Sequence, residues 1–139
     1  MMARRSQEHK TYFKIMLEGK DIPGFIKVSG LSSQININEE VKDGLSVIEK
    51  SPGNSTCGNV TLFKKRTREQ SFWNWLKEIQ SGKLVKRDIS IELNYKNRSL
   101  RGWKLINCWP VRWSISDISD KVLDTIEEIE LVVEKIELL

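Results

Sequence analysis

The stretch Ile106–Ser116, INCWPVRWSIS, brings two tryptophans, a proline and an arginine together, and its reading decides the fold. As an extended segment it places Trp109, Val111 and Trp113 on one face, and Pro110, Arg112 and Ser114 on the other. A proline inside a strand has no N–H to give a neighbour, so it marks a bulge or an edge, and an edge is where another chain can add. Aromatics beside a cation can also stack on a nucleobase, close a sugar site or pack against a neighbouring chain. The flanking sequence has to choose.

Upstream, RDISIELNY and LRGWKLINCW alternate apolar and polar residues and are joined by the polar turn KNRS, the layout of a hairpin. YFKIMLEG, Tyr12–Gly19, reads as a strand with a turn behind it, and DIPGF carries the Pro-Gly signature of a type II turn. SSQININEEV alternates cleanly: Ile35, Ile37 and Val41 point one way, and Gln34, Asn36, Asn38 and Glu40 the other, on a wet face free of cations. Asp43-Gly44 predicts a turn between Val41 and Leu45, hence a second hairpin. Lys50–Asn59 collects Pro, Gly, Asn and Ser and reads as a mobile loop, after which VTLFKK resumes a strand.

One helix is well signalled, in TREQSFWNWLKEIQSG. Thr67 and Gln70 form a capping box, Phe72, Trp75, Leu76 and Ile79 one apolar face, and Gly82 the stop. Trp73 falls off that face. The tail, TIEEIELVVEKIELL, is ambiguous: Ile126, Ile129, Val133 and Ile136 are spaced as on an amphipathic helix, whereas its β-branched residues favour a strand.

The chain has 139 residues, 39% hydrophobic and 30% charged, enough for one domain that buries roughly two thirds of its unfolded surface. No apolar window is long enough to span a bilayer, and the basic start MMARRSQEHK has no apolar core behind it, so neither a membrane anchor nor a secretory signal is expected, and synthesis in the cytoplasm is. Cys57 and Cys108 stand far apart without a CxxC, with His9 the single imidazole. Reduced buried thiols are expected rather than a zinc site or a Cys/His nucleophile. Glycine-rich phosphate loops and GxSxG are absent, and Glu127, Glu128, Glu130, Glu134 and Glu137 lack a polar partner cluster, so neither catalysis nor a cofactor is expected.

A net charge of +4 permits a polyanionic partner without demanding one. The dense basic run KKRTR, Lys64–Arg68, is either a solvated strand end or a grip on phosphates. Five tryptophans exceed what one core needs, and tryptophan with arginine anchors protein interfaces. A nucleic-acid-binding β-barrel that stacks bases on these tryptophans is the rival from another class; it requires steep salt dependence and loss on Lys64 or Arg66 replacement.

Taken in order, YFKIMLEGKDIPGFIKVSGLSSQI, EKSPGNSTCGNVTLFKK, SFWNWLKEIQSGKLVKRDISIEL and NCWPVRWSISDISD resemble the tail tube proteins of contractile bacteriophages and the inner tube proteins of extracellular contractile injection systems. The type VI secretion tube subunit is a more distant likeness. The most specific parts are FxxVSGL at Phe25–Leu31, the helix, and NxWPVxW at Asn107–Trp113. The resemblance covers about residues 11–139, a single tail-tube domain behind a flexible segment 1–10. It implies a mainly β fold, two packed antiparallel sheets close to a small barrel with one flanking helix, and it makes the tail a strand. It implies no enzyme: six copies form a ring, and rings stack into a hollow tube that sheath contraction drives through a target envelope.

The partners implied are other copies, the sheath protein, the baseplate hub or spike, a tube-terminating protein, and DNA or protein cargo. After cytoplasmic assembly the protein would be part of a virion or a released phage-tail-like particle. Under this resemblance Gln34, Asn36, Asn38 and Glu40 are the candidate lumen lining, and Lys42, Asp43, Glu49, Lys50, Pro52 and Asn54 belong to a loop that contacts the next ring. Asn107, Trp109, Pro110 and Trp113 brace the strand carrying the subunit joint. KDGLSVIEKSPGN is more compact than the family's usual segment, which raises the alternative of a specialised first ring joining tube to baseplate hub.

Overall fold

The fold is that of a computed structural model, which describes residues 11–42, 44, 48–116, 118–120 and 125–139. The expected segment 1–10 and Asp43 lie outside the described residues. The order is β1 (Thr11–Leu17), β2 (Lys20–Ile22), β3 (Phe25–Ser29), β4 (Ser33–Val41), β5 (Ile48–Cys57), β6 (Val60–Lys65), α1 (Ser71–Gln80), β7 (Arg87–Tyr95), β8 (Arg98–Ile115), β9 (Ile126–Val132) and β10 (Lys135–Leu138). Two-residue turns join β1 to β2 and β7 to β8; Glu18 and Gly19, like Lys96 and Asn97, have the positive φ that type I′ turns require. Gly24, at φ 99°, supplies the left-handed position expected of the Pro-Gly turn.

Two antiparallel sheets share β8. Its first half lies between β7 and β10, with β1 beyond β7 and β2 at the edge; its second half pairs with β9, followed by β6 and β3. The quoted stretch is therefore the corner between the sheets. Asn107 takes φ 55°, and the register shifts again between Pro110 and Arg112. Val111 is the extra residue of this bulge, so the simple alternation fails: Pro110 is fully buried while Val111 is 39% exposed.

Ile15, Ile22, Leu62, Ile89, Leu105 and Leu131 fill the space between the sheets, and α1 closes it with Phe72 and Trp75. Phe72 meets Phe25 edge to face at 5.7 Å, and the Trp75 indole N–H donates to the Val85 carbonyl at 2.7 Å. Burying each such side chain stabilises by roughly 1.5–3 kcal/mol.

Two expectations are corrected, and the ambiguous tail is the strand that the resemblance implied. The Thr67/Gln70 capping box does not form: the helix begins at Ser71, whose N–H donates to the Glu69 carboxylate at 2.8 Å, while Thr67 Oγ1 accepts the Glu69 N–H at 3.2 Å. A charged acceptor takes the orphan amide more strongly than an amide side chain would. The tail forms β9 and β10; Ile129, Leu131 and Val133 alternate into the core, and the chain breaks between the two strands, which is why its apolar spacing mimicked a helix. The stretch read as a mobile loop is strand β5, paired with β4 from Ser33↔Cys57 to Val41↔Ile48.

β4 and β5 continue the β3–β6 ribbon beyond a kink at Gly30 and Gly58 and form a two-stranded sheet of their own. Gly30 has φ +88°, and a Cβ there would stand 2.3 Å from the Asn59 carbonyl oxygen, so only glycine fits. The Gly58 N–H donates to Ser32 Oγ at 3.2 Å across the kink. The ribbon leaves the barrel as an arm.

Candidate functional site

Every residue of β4 is exposed, as are all but two of β5. The register assigns the faces. Ile35, Ile37, Glu39 and Val41 share one with Ile48, Lys50 and Pro52; Gln34, Asn36, Asn38 and Glu40 share the other with Glu49 and Ser51. Ile37 is 66% and Val41 70% exposed, an apolar stripe that a lone two-stranded ribbon cannot bury. The expected wet face is present, and Glu49 extends it: Glu40 and Glu49 stand directly opposite each other. Like charges there are mildly destabilising. Glu49 is held by Lys42 at 2.9 Å, and Lys50 lies 4.0 Å from Glu39.

The candidate lumen and stacking residues, Asp43 aside, thus come together on the arm, but Glu49, Lys50, Pro52 and Asn54 are on a strand and not on a loop. A register shift between Ile35 and Ile37 absorbs the Pro52–Ser55 stretch, and a ribbon with two edges can spare the missing proline N–H.

Asn107, Trp109, Pro110 and Trp113 are apart from the arm strands, on β8. The Asn107 N–H donates to Asp88 Oδ1 at 3.0 Å, and its amide donates to Glu134 Oε2 at 3.0 Å; Lys86 pairs with the other oxygen of Glu134. These two donors, Lys86 foremost, hold the Glu134 carboxyl below its ordinary range. Arg112, past the bulge, meets Glu130 at 3.2 Å, and Asn59 at the arm's root donates to the same carboxylate at 2.8 Å, which lowers its pKa. From Trp109 to Ile115, β8 pairs with β9 alone, so its other edge is open among the described residues.

Trp113 meets Trp73 edge to face at 4.7 Å, and Lys77 lies over Trp73 at 4.7 Å. Beside them is a cleft of about 270 Å³, lined by Lys64, Arg66, Phe72, Trp73, Trp113 and Glu127 among others. Lys64, the first residue of the basic run, is 2% exposed and lines this cleft rather than an open basic surface. Its ammonium donates to the Glu69 carbonyl at 3.2 Å and lies 3.7 Å from Glu127. Trp75 is buried, and Trp103 and Trp109 pack on the core, so the tryptophans form no continuous stacking platform. Sequence reasoning missed Lys64 because a lysine on a β-strand gives no sign of burial; the alternation of Val60, Leu62 and Lys64 was the one available signal.

Burial pushes the Cys108 thiol up to about 12, with nearby Asp88 adding to the shift, so it stays protonated and unreactive. Among the described residues no helix is long and apolar enough to cross a membrane, and no group of three or more His, Cys, Asp or Glu is placed to hold a metal.

No curated protein sequence matches the chain. Among solved structures, it is similar to a chain of an extracellular contractile injection system, the PVC sheath-tube complex in its extended state. The identity is 27% over 91% of this chain and 87% of that one, with a TM-score of 0.76. The fold is shared with a chain of the anti-feeding prophage tube-terminating cap, 24% identical over 91% and 87%, TM-score 0.75. It is shared also with a chain of the anti-feeding prophage baseplate, 18% identical over 94% and 93%, TM-score 0.71. The family model of the T4-like virus tail tube protein gp19 matches residues 9–137. With that match spanning nearly the whole chain, and the two-sheet fold in agreement, the chain belongs to this family of structural tube proteins.

Proposed function

We propose that six copies join edge to edge into a ring, and that rings stack into a hollow tube inside a sheath whose contraction drives it through a target envelope. The arm carries this reading: Ile35, Ile37, Val41 and Ile48 form an exposed apolar stripe that a monomer leaves in water. Open strand edges, including Trp109–Ile115, supply N–H and C=O groups that β-addition between copies satisfies. A repeated heterologous contact forms a ring when its rotation closes.

Gln34, Asn36, Asn38 and Glu40, joined by Glu49, line the lumen in this reading; a face of amides and carboxylates, whose one nearby cation, Lys42, is paired with Glu49, suits a conduit that must not hold its cargo. Lys42, Lys50, Pro52 and Asn54 reach towards the next ring. Asn107, Trp109, Pro110 and Trp113 brace the corner that presents the open edge of β8. Residues 11–139 act as one tube domain with an architectural role and no catalytic step. The protein is made and assembled in the cytoplasm and then forms part of a virion or released particle. Its partners are the sheath, the baseplate hub or spike, a tube-terminating protein, and DNA or protein cargo.

The specialised first ring at the baseplate shares this fold. The greater identity to the sheath-tube chain, 27% against 18% for the baseplate chain, favours the main tube. Negative-stain electron microscopy of the concentrated protein tests the proposal: sixfold rings or stacked tubes are expected. Monomers that persist even after baseplate components are added would contradict it.

A further inference from the structure

We infer that the cleft between α1 and the β8 corner is the receptor for the arm of a second copy, with arm Glu39 seated between Lys64 and Arg66. This rests on the tube reading above and names the surface that covers the arm's apolar face.

The receptor has an incompletely matched charge. Lys64 is all but fully buried, yet among the described residues its three-donor ammonium makes one hydrogen bond, to the Glu69 carbonyl at 3.2 Å. Glu127 stands 3.7 Å away, and its Oε2 already accepts the Trp113 indole N–H at 3.4 Å. A buried cation paired this loosely is costly, and a carboxylate entering the cleft would complete it. Arg66 is exposed at the rim and makes no ion pair among the described residues. Phe72, Trp73, Trp113 and Ile115 give the cleft an apolar wall; Thr67, Gln70 and Glu69, whose carboxylate is engaged by Ser71 and Lys20, complete the lining.

The arm has the complementary pattern. Among the described residues Glu39 is the one carboxylate on its apolar face, flanked by Ile37 and Val41, and it lies 4.0 Å from Lys50 with both side chains more than half exposed. Seating Glu39 on Lys64 would bring Lys50 towards Glu127 and the flanking aliphatics onto the tryptophans. Two loosely paired couples would exchange partners in a site that excludes water, where complementary charge fixes register and partner. The Gln34–Glu40 face is left free, as a lumen lining requires.

Charge exchange tests the pairing, because Glu39 and Arg66 are both exposed and their replacement leaves the fold intact. Glu39→Lys and Arg66→Glu should each raise the concentration for half-maximal assembly roughly tenfold, and the double variant should recover most of it. In a Cys57→Ser background, Glu39→Cys protein mixed with Arg66→Cys protein should give covalent dimers with a short bis-maleimide, and neither alone should. Single variants that assemble like the parent, a double variant no better than either single, or rings without mixed cross-links would overturn the inference while leaving the tube reading in place. A parent protein that forms no ring or tube under the same conditions would sink both.

Discussion

The barrel and the arm are built from the same ribbon, and they solve opposite problems. β3 and β6 lie on the core, with Phe25, Val60 and Leu62 buried, whereas their continuations β4 and β5 bury nothing fully. Hydrogen bonding is equally regular in both. The difference is side-chain burial, which supplies most of the stability of a sheet. Fold therefore resides in the barrel, and surface left for a partner resides in the arm.

Substitutions can break that contrast, and the largest effect belongs to the barrel. Trp75→Ala removes a fully buried ring and the donor to the Val85 carbonyl; it should lower unfolding stability by about 3–5 kcal/mol in denaturant titrations. Gly30→Ala strikes the junction, where a Cβ would press on the Asn59 carbonyl at a positive φ. About 2 kcal/mol should be lost, together with the arm's fixed direction.

A smaller effect lies at the start of α1. Hydrogen bonds from Ser71, first of all, and then Lys20 hold the Glu69 carboxyl at about 2, below its ordinary 4.5. The folded pKa is depressed, so the stability Glu69 contributes is complete above pH 4.5 and is lost as pH falls towards 2. Ser71→Ala should cost about 1 kcal/mol at neutral pH and flatten the acid limb of a stability–pH curve; an unchanged limb would remove Glu69 from the account.

The smallest effect on stability belongs to the arm. Ile37→Ser with Val41→Ser should shift monomer unfolding by no more than about 0.5 kcal/mol, yet abolish assembly as followed by sedimentation. A substantial loss of monomer stability would mean that the arm packs on its own barrel.

The same contrast explains what could be read from sequence. Alternation in β1 and β7 and the apolar face of α1 were legible because local period matched burial, whereas β4 alternates although all of it is exposed. β5 was not, since Ser51, Pro52, Gly53 and Asn54 have loop composition and are held extended only by their pairing with β4. The β8 corner was half legible: Pro110 announced a bulge, but which residue it would expel, Val111, depended on register with β9. The wet face of the arm was visible as a pattern, whereas its extension by Glu49 and the burial of Lys64 arise from pairing and packing across the chain.

Hydrogen–deuterium exchange, compared between dilute monomer and assembled protein, tests most directly whether the arm is the assembly surface. Amides of Ser33–Val41 and Ile48–Cys57 should exchange rapidly in the monomer, while those of β7 and β8 are protected, and should become strongly protected on assembly. Arm amides already protected in the monomer, or unchanged on assembly, would contradict it.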